Sequence, residues 1–212
     1  MATAAHAGPP GLPAGTDPSA LEALAVEVGV AAGRLIVDER PDDLGVTAKS
    51  TRTDVVTRMD QASQELLLRL LAARRPDDAV VGEEQGGAAG TSGITWVLDP
   101  IDGTVNYLYD IPAYAVSVAA VVGDPTSEGA WLPVAGAVVN PVSGEVFHAH
   151  LGGGARLTTA AGTRSLRATA ATDLGLALVG TGFGYDARRR AQQAAALREL
   201  LPVVRDIRRA GS

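Results

Sequence analysis

The amino-acid sequence changes its hydrophobic period near residue 79, and that change points to an α+β fold. Before it, apolar residues recur at helical spacing. Leu21, Leu24, Val28 and Leu35 follow the capping-box spacing Ser19-Ala20-Leu21-Glu22 and stop at Pro41. A second stripe, Leu66, Leu67, Leu70 and Leu71, predicts a helix from Gln61 to Arg75 that Pro76 ends. After it, short apolar runs alternate with turn residues: Ala79–Val81, Ile94–Leu98, Tyr114–Val122, Trp131–Val139 and Glu145–His150. Such runs predict strands of a largely antiparallel sheet. Asn140-Pro141-Val142-Ser143-Gly144 reads as a hairpin connection and Gly152-Gly153-Gly154 as another sharp break. Weaker strands are expected around Arg156–Thr158 and Ser165–Ala168. An apolar run over Leu176–Gly180, a helix over Ala187–Leu201 and a strand over Val203–Ile207 follow. Two layers of helix around sheet are the natural packing.

With 212 residues, 46% of them hydrophobic, the chain can bury a substantial core. Residues 1–18, rich in Ala, Gly and Pro, read as a disordered leader. Residues 19–150 form the first unit and 151–212 a partial second α/β domain. There is no Cys, which removes disulfides, thiolate nucleophiles and zinc–thiolate sites and suits a cytoplasmic setting. Of the three His, His6 falls in the leader and His148 and His150 alternate along a strand, so a His-rich metal site is not expected. A net charge of −6 argues against a broad nucleic-acid surface, and Arg188-Arg189-Arg190 reads as a solvated helix start. The first eighteen residues lack the regions of a signal peptide, and no apolar run reaches the ~18 residues that span a bilayer.

The chemistry that remains is oxygen chemistry, and it concentrates at Trp96-Val97-Leu98-Asp99-Pro100-Ile101-Asp102-Gly103-Thr104. An apolar strand runs there into two carboxylates, a Gly that lets main chain approach a ligand, and a hydroxyl. Carboxylates at a strand end suit a hard cation such as Mg²⁺, which keeps several waters and also binds phosphate oxygens. A short helix starting at this point would aim N–H groups at phosphate. Read alone, the same residues also serve blander ends: Asp102 as a helix cap, Gly82-Glu83-Glu84 as surface charge and Asp60 as an N-cap.

Taken in order, K-S-x-x-x-D-x-V-T-x-x-D at 49–60, G-E-E at 82–84 and W-V-L-D-P-I-D-G-T-x-N at 96–106 resemble the inositol monophosphatase family over roughly residues 20–212. The resemblance implies a layered αβαβα sandwich of the sugar-phosphatase type. It implies that Glu83, Asp99 and the Ile101 carbonyl hold one Mg²⁺ while Asp99 and Asp102 help hold another. Asp60 and Thr104 would orient and activate the attacking water, with Glu83 nearby. Phosphate would lie against the Gly103 and Thr104 N–H groups, and Asp102, Gly211 and Ser212 would face the substrate. Lys49 and the Thr53–Thr57 stretch look like the family's mobile loop. Family members continue beyond Arg208–Ser212 into a W-D-x-A-A-G motif that contributes a further metal ligand, so this chain is expected to be truncated and a weak phosphatase.

The expected reaction is hydrolysis of a small phosphate monoester, foremost myo-inositol 1-phosphate. Histidinol phosphate, fructose 1,6-bisphosphate and adenosine bisphosphates are substrates of similar proteins, and a non-catalytic regulatory relative is the contrasting expectation. Lithium sensitivity and a homodimer at full length belong to the same resemblance. A haloacid-dehalogenase phosphatase is disfavoured, since two residues rather than one separate Asp99 from Asp102 and the text lacks βαβ units. No Walker A or Rossmann glycine pattern occurs.

Overall fold

The computed structural model describes residues 11–49, 54–84 and 87–212. Helix α1 (Pro18–Asp38) starts at Asp17, whose carboxylate accepts the Ser19 N–H at 2.9 Å, with Pro18 in the first turn. The cap is therefore Asp17 and not the expected Ser19. Glu22 cannot reach back to complete a box, because it is buried and bonded to His148 at 2.7 Å and to Arg156. Residues 11–17 of the expected leader are ordered around a turn, Thr16 N–H to Pro13 O at 3.2 Å, that leads into this cap.

Short strands β1 (Thr47–Ala48) and β2 (Val55–Val56) pair antiparallel. Helix α2 (Arg58–Arg74) begins three residues before the expected Gln61. Thr57 is its cap: the Thr57 hydroxyl accepts from Met59 and Asp60 N–H while the Asp60 carboxylate accepts the Thr57 N–H at 2.8 Å. Asp60 is thus the third helical residue of a capping box rather than the N-cap itself.

The chain then builds one seven-stranded sheet in sequence order: β3 (Ala79–Gly82), β4 (Ile94–Asp102), β5 (Ala115–Gly123), β6 (Trp131–Asn140), β7 (Glu145–His150), β8 (Gly154–Thr159) and β9 (Gly162–Leu166). A short helix, α3 (Thr104–Leu108), lies between β4 and β5. β3 and β4 run parallel, and every later neighbour is antiparallel. The sheet does not stop at residue 150, where the sequence places a boundary; β8 and β9 carry it on to Leu166. Beyond it, β10 (Leu178–Gly180) and β11 (Asp206–Arg208) pair parallel around α4 (Ala187–Leu200).

Helices α1 and α2 pack on one face of the sheet, α1 along β5, β6 and β7 and α2 against α1 and β4. Val28, Ile36, Leu67 and Leu71 meet Trp96, Leu98, Val116 and Val118 in one buried cluster. Each such side chain contributes roughly 1.5–3 kcal/mol by leaving water. Gly29 lets α1 come close, since a Cβ there would stand 3.1 Å from a Val139 methyl. The result is a layered α+β fold that holds the ends of β3 and β4 fixed over α2.

Candidate active site

Parallel pairing of β3 and β4 is what assembles the site. Gly82 is in register with Leu98, and the Glu83 N–H donates to the Leu98 carbonyl at 3.0 Å, so Glu83 and Asp99 leave adjacent strands side by side. Between Asp99, opposite Ser117, and Asp102, opposite Ala115, β4 carries one residue more than β5. Pro100 has no N–H to give the ladder, and the bulge turns the two aspartates together. The Ser63 hydroxyl of α2 fastens the bulge by donating to the Pro100 carbonyl at 3.1 Å. Gln64 beside it accepts the Glu84 N–H at 3.0 Å.

Gly103 then takes φ = 90°, a left-handed conformation that suits Gly, and hands the chain to α3. This puts the Thr104 hydroxyl 3.0 Å from the Ile101 carbonyl and 3.1 Å from Asp60 Oδ1. Asp60 Oδ2 is held by the Thr57 hydroxyl at 2.6 Å, which leaves Oδ1 directed at Thr104. The structure brings Asp60, Glu83, Asp99, Ile101, Asp102, Gly103 and Thr104 into one region, and the carboxylates feel one another. Burial, then the charges of Glu83, Asp102 and Asp60, push the Asp99 carboxyl up to about 8. Burial also raises Asp60, against hydrogen bonds from Thr57 and Thr104 that lower it.

The Lys49 ammonium sits against this cluster, 2.9 Å from Glu83 Oε1 and in contact with Glu84. Burial would lower its pKa, but the two carboxylates outweigh burial and raise it. Thr53 lies outside the described residues, as do Ser50, Thr51 and Arg52. Among the described residues no three His, Asp or Glu side chains stand in a ready metal-holding arrangement. The donors nevertheless suit a hard divalent cation. They are carboxylate and carbonyl oxygens, and among the described residues Asp99 Oδ1 is buried with no hydrogen-bond partner while the charges of Glu83, Asp102 and Asp60 crowd it. His148 and His150 are elsewhere, on β7 beside Glu22.

Gly211 and Ser212 reach the same place. The Ser212 hydroxyl donates to Asp102 Oδ2 at 2.7 Å, and the Asn106 amide donates to the Ala113 and Ala210 carbonyls at 2.6 and 2.8 Å. Asn106 thereby pins residues 210–212 against the Gly103 turn. It was not singled out from the sequence, although the x-N after D-G-T was the available signal. A cavity of about 590 Å³ opens here, bounded by Asp102, Ser212, Phe183, Tyr185 and Arg209. No sequence motif marks the last three. The arrangement can gather cations at its carboxylates, orient a water between Asp60 and Thr104, and admit a small molecule from the cavity.

Comparison with known proteins agrees with this geometry. The sequence profile of the inositol monophosphatase family matches residues 17–212. An inositol-1-monophosphatase of Mycobacterium leprae is 47% identical over 92% of this chain and 70% of its own length. A protein of Pasteurella multocida named Nus factor SuhB is 35% identical over 89% of this chain and 68% of its own length. Among solved structures, Mycobacterium tuberculosis SuhB superposes with a TM-score of 0.76 at 40% identity, covering 93% of this chain and 71% of that one.

Proposed function

The chain belongs to the inositol monophosphatase family, and from that premise we propose that it hydrolyses a small phosphate monoester with Mg²⁺, myo-inositol 1-phosphate being the leading substrate. The observation that carries the reading is the convergence of Glu83, Asp99 and Asp102 around an unpartnered, buried Asp99 oxygen, beside the Asp60–Thr104 hydrogen bond.

Glu83, Asp99, Asp102 and the Ile101 carbonyl would hold the cations. Bound there, Mg²⁺ supplies positive charge against phosphate oxygens and makes water more acidic. The chain's own residues do the rest. Asp60 Oδ1 and the Thr104 hydroxyl, 3.1 Å apart, form an acceptor–donor pair that aligns water for in-line attack. Burial makes Asp60 a stronger base than an exposed carboxylate, so it can take the proton that the water gives up. Phosphate would be received by the main-chain N–H groups of the Gly103 turn, where a side chain would crowd the Ala113 carbonyl and Ser212. Asp102 and Ser212 border the alcohol side of the substrate. A cation held at Glu83 would replace the positive charge that Lys49 supplies to that carboxylate.

Lithium sensitivity, homodimeric association and a cytoplasmic location belong to the same reading. No helix among the described residues is long and apolar enough to cross a membrane. A phosphate-release screen with Mg²⁺ over myo-inositol 1-phosphate, histidinol phosphate, fructose 1,6-bisphosphate and adenosine 3′,5′-bisphosphate tests the proposal. Turnover of at least one ester supports it. Silence on all four would favour a regulatory, non-catalytic role, a reading that the relatives named Nus factor keep open.

A further inference from the structure

Thr104 stands on a helix too short to hold itself. Helix α3 has five residues, fewer than a helix needs to persist without tertiary contacts, and Gly103 at its N-cap has no side chain to close the first turn. The 3.1 Å contact of the Thr104 hydroxyl with Asp60 therefore depends on what fixes α3 from outside. Asn106 ties it to the Ala113 and Ala210 carbonyls. Tyr107, three residues after Thr104 and so its neighbour on the helix surface, ties it to α1. The Tyr107 side chain is fully buried, its hydroxyl donates to the Ile36 carbonyl at 2.7 Å, and its ring meets Tyr114 edge-on with centroids 5.0 Å apart. Arg40, two residues beyond the end of α1, completes this anchor. Its guanidinium donates to the Tyr107 carbonyl at 2.7 Å and lies 4.4 Å from the centroid of the Tyr107 ring. It thus grips the last turn of α3 at a carbonyl, where a helix end lacks intrahelical partners.

We propose that Arg40 is a positioning residue for phosphate-ester hydrolysis: by clamping Tyr107 it holds α3, and with it the Thr104 hydroxyl, at the distance from Asp60 that aligning a water requires. The inference rests on the phosphatase reading above. Arg40 acts through Tyr107 rather than on the substrate. Its other partner, the exposed Asp110 carboxylate 3.8 Å away, contributes little, because water screens such a pair. The grip therefore lies in the Tyr107 carbonyl and ring. A displacement of about 1 Å at a catalytic group costs roughly 100-fold in rate. Asn106 still holds α3 when Arg40 is lost, so the loss of Arg40 alone costs less than that.

The test measures phosphate release from myo-inositol 1-phosphate with Mg²⁺, and amide hydrogen exchange, on the full chain. The proteins are the wild type, Arg40→Met, Arg40→Lys, Asp110→Asn, Thr104→Ala and the double variant Arg40→Met with Thr104→Ala. Met keeps the apolar stem and removes the donors, whereas Lys keeps a charged donor for the Tyr107 carbonyl. Arg40→Met is expected to lower kcat roughly tenfold with KM within about twofold of wild type, and Arg40→Lys to recover most of the loss. Asp110→Asn should match the wild type. On the Thr104→Ala background Arg40→Met should cost nothing further, because the group it positions is already gone. Exchange over Thr104–Leu108 should rise roughly tenfold in Arg40→Met while α2 and β4 keep their protection. A kcat loss that recurs in full on the Thr104→Ala background, unchanged exchange over α3, or exchange raised throughout the chain with a lowered melt overturns the proposal. If the wild type releases no phosphate, the phosphatase reading fails, and exchange over α3 alone decides whether Arg40 holds that helix.

Discussion

Asp102 and Thr104 lie two residues apart and are given different work. Asp102 is a carboxylate whose value is its charge, so Asp102→Asn should lower phosphate release by roughly 100-fold or more while leaving the thermal melt close to wild type. Near-normal turnover at saturating Mg²⁺ would contradict that role. Thr104, its hydroxyl 3.1 Å from Asp60, is proposed to position water. Thr104→Ala should therefore reduce kcat by roughly 100-fold and KM little, and Thr104→Ser should recover much of the loss. A pure KM effect would move the hydroxyl to phosphate binding instead. Glu83, Asp99 and Asp102 were legible in the sequence because strand ends deliver side chains at defined places, and the spacing of the three motifs did the rest. Asn106, Phe183, Tyr185 and Arg209 were not. Asn106 meets Ala210, 104 residues away, in a contact that no local pattern encodes.

At the scale of elements, Asp78 joins the end of α2 to β4. Its carboxylate accepts from Arg75 at 2.7 Å, the Ser92 hydroxyl at 2.6 Å and the Trp96 indole at 2.9 Å. Burial would raise its pKa, but these bonds outweigh burial and hold it below the ordinary 3.8. The unfolded chain then takes up the proton first on acidification. Stability from Asp78 is whole above pH 3.8 and is lost as pH falls through the depressed folded value. Asp78→Ala strands a buried indole N–H and should cost about 2–3 kcal/mol, a drop of about 5–10 °C in Tm. The loss should be present at neutral pH and shrink in acid, and a melt series from neutral pH into acid would show it. The elements themselves followed the change of period well. Departures came where side chains compete locally: Thr57 and Asp60 started α2 early, and the bulge let β4 run through Pro100 to Asp102. The parallel register of β3 on β4, on which the site depends, left no mark in either strand, because parallel and antiparallel pairs bury the same residues.

Across the whole molecule, packing is uneven. Strands β3–β9 form one sheet clamped by α1 and α2, whereas α4 buries no residue and, among the described residues, β10 pairs only with β11. Leu174, Leu176 and Leu178 are all more than half exposed. Segments with so few buried contacts open at low free energy. Hydrogen exchange should run roughly 100-fold or more faster in β10, α4 and β11 than in β4–β6. Uniform protection would mean that this region packs more firmly than its exposure indicates. The central claim remains that the carboxylates around Asp99 make a metal-dependent phosphatase. Its most direct test is phosphate release from myo-inositol 1-phosphate as Mg²⁺ is added, by the wild type and by Asp99→Asn. The account predicts release that rises to saturation with Mg²⁺, stops on chelation and falls by roughly 100-fold or more in Asp99→Asn. Release that survives chelation, or that the variant retains in full, would contradict it.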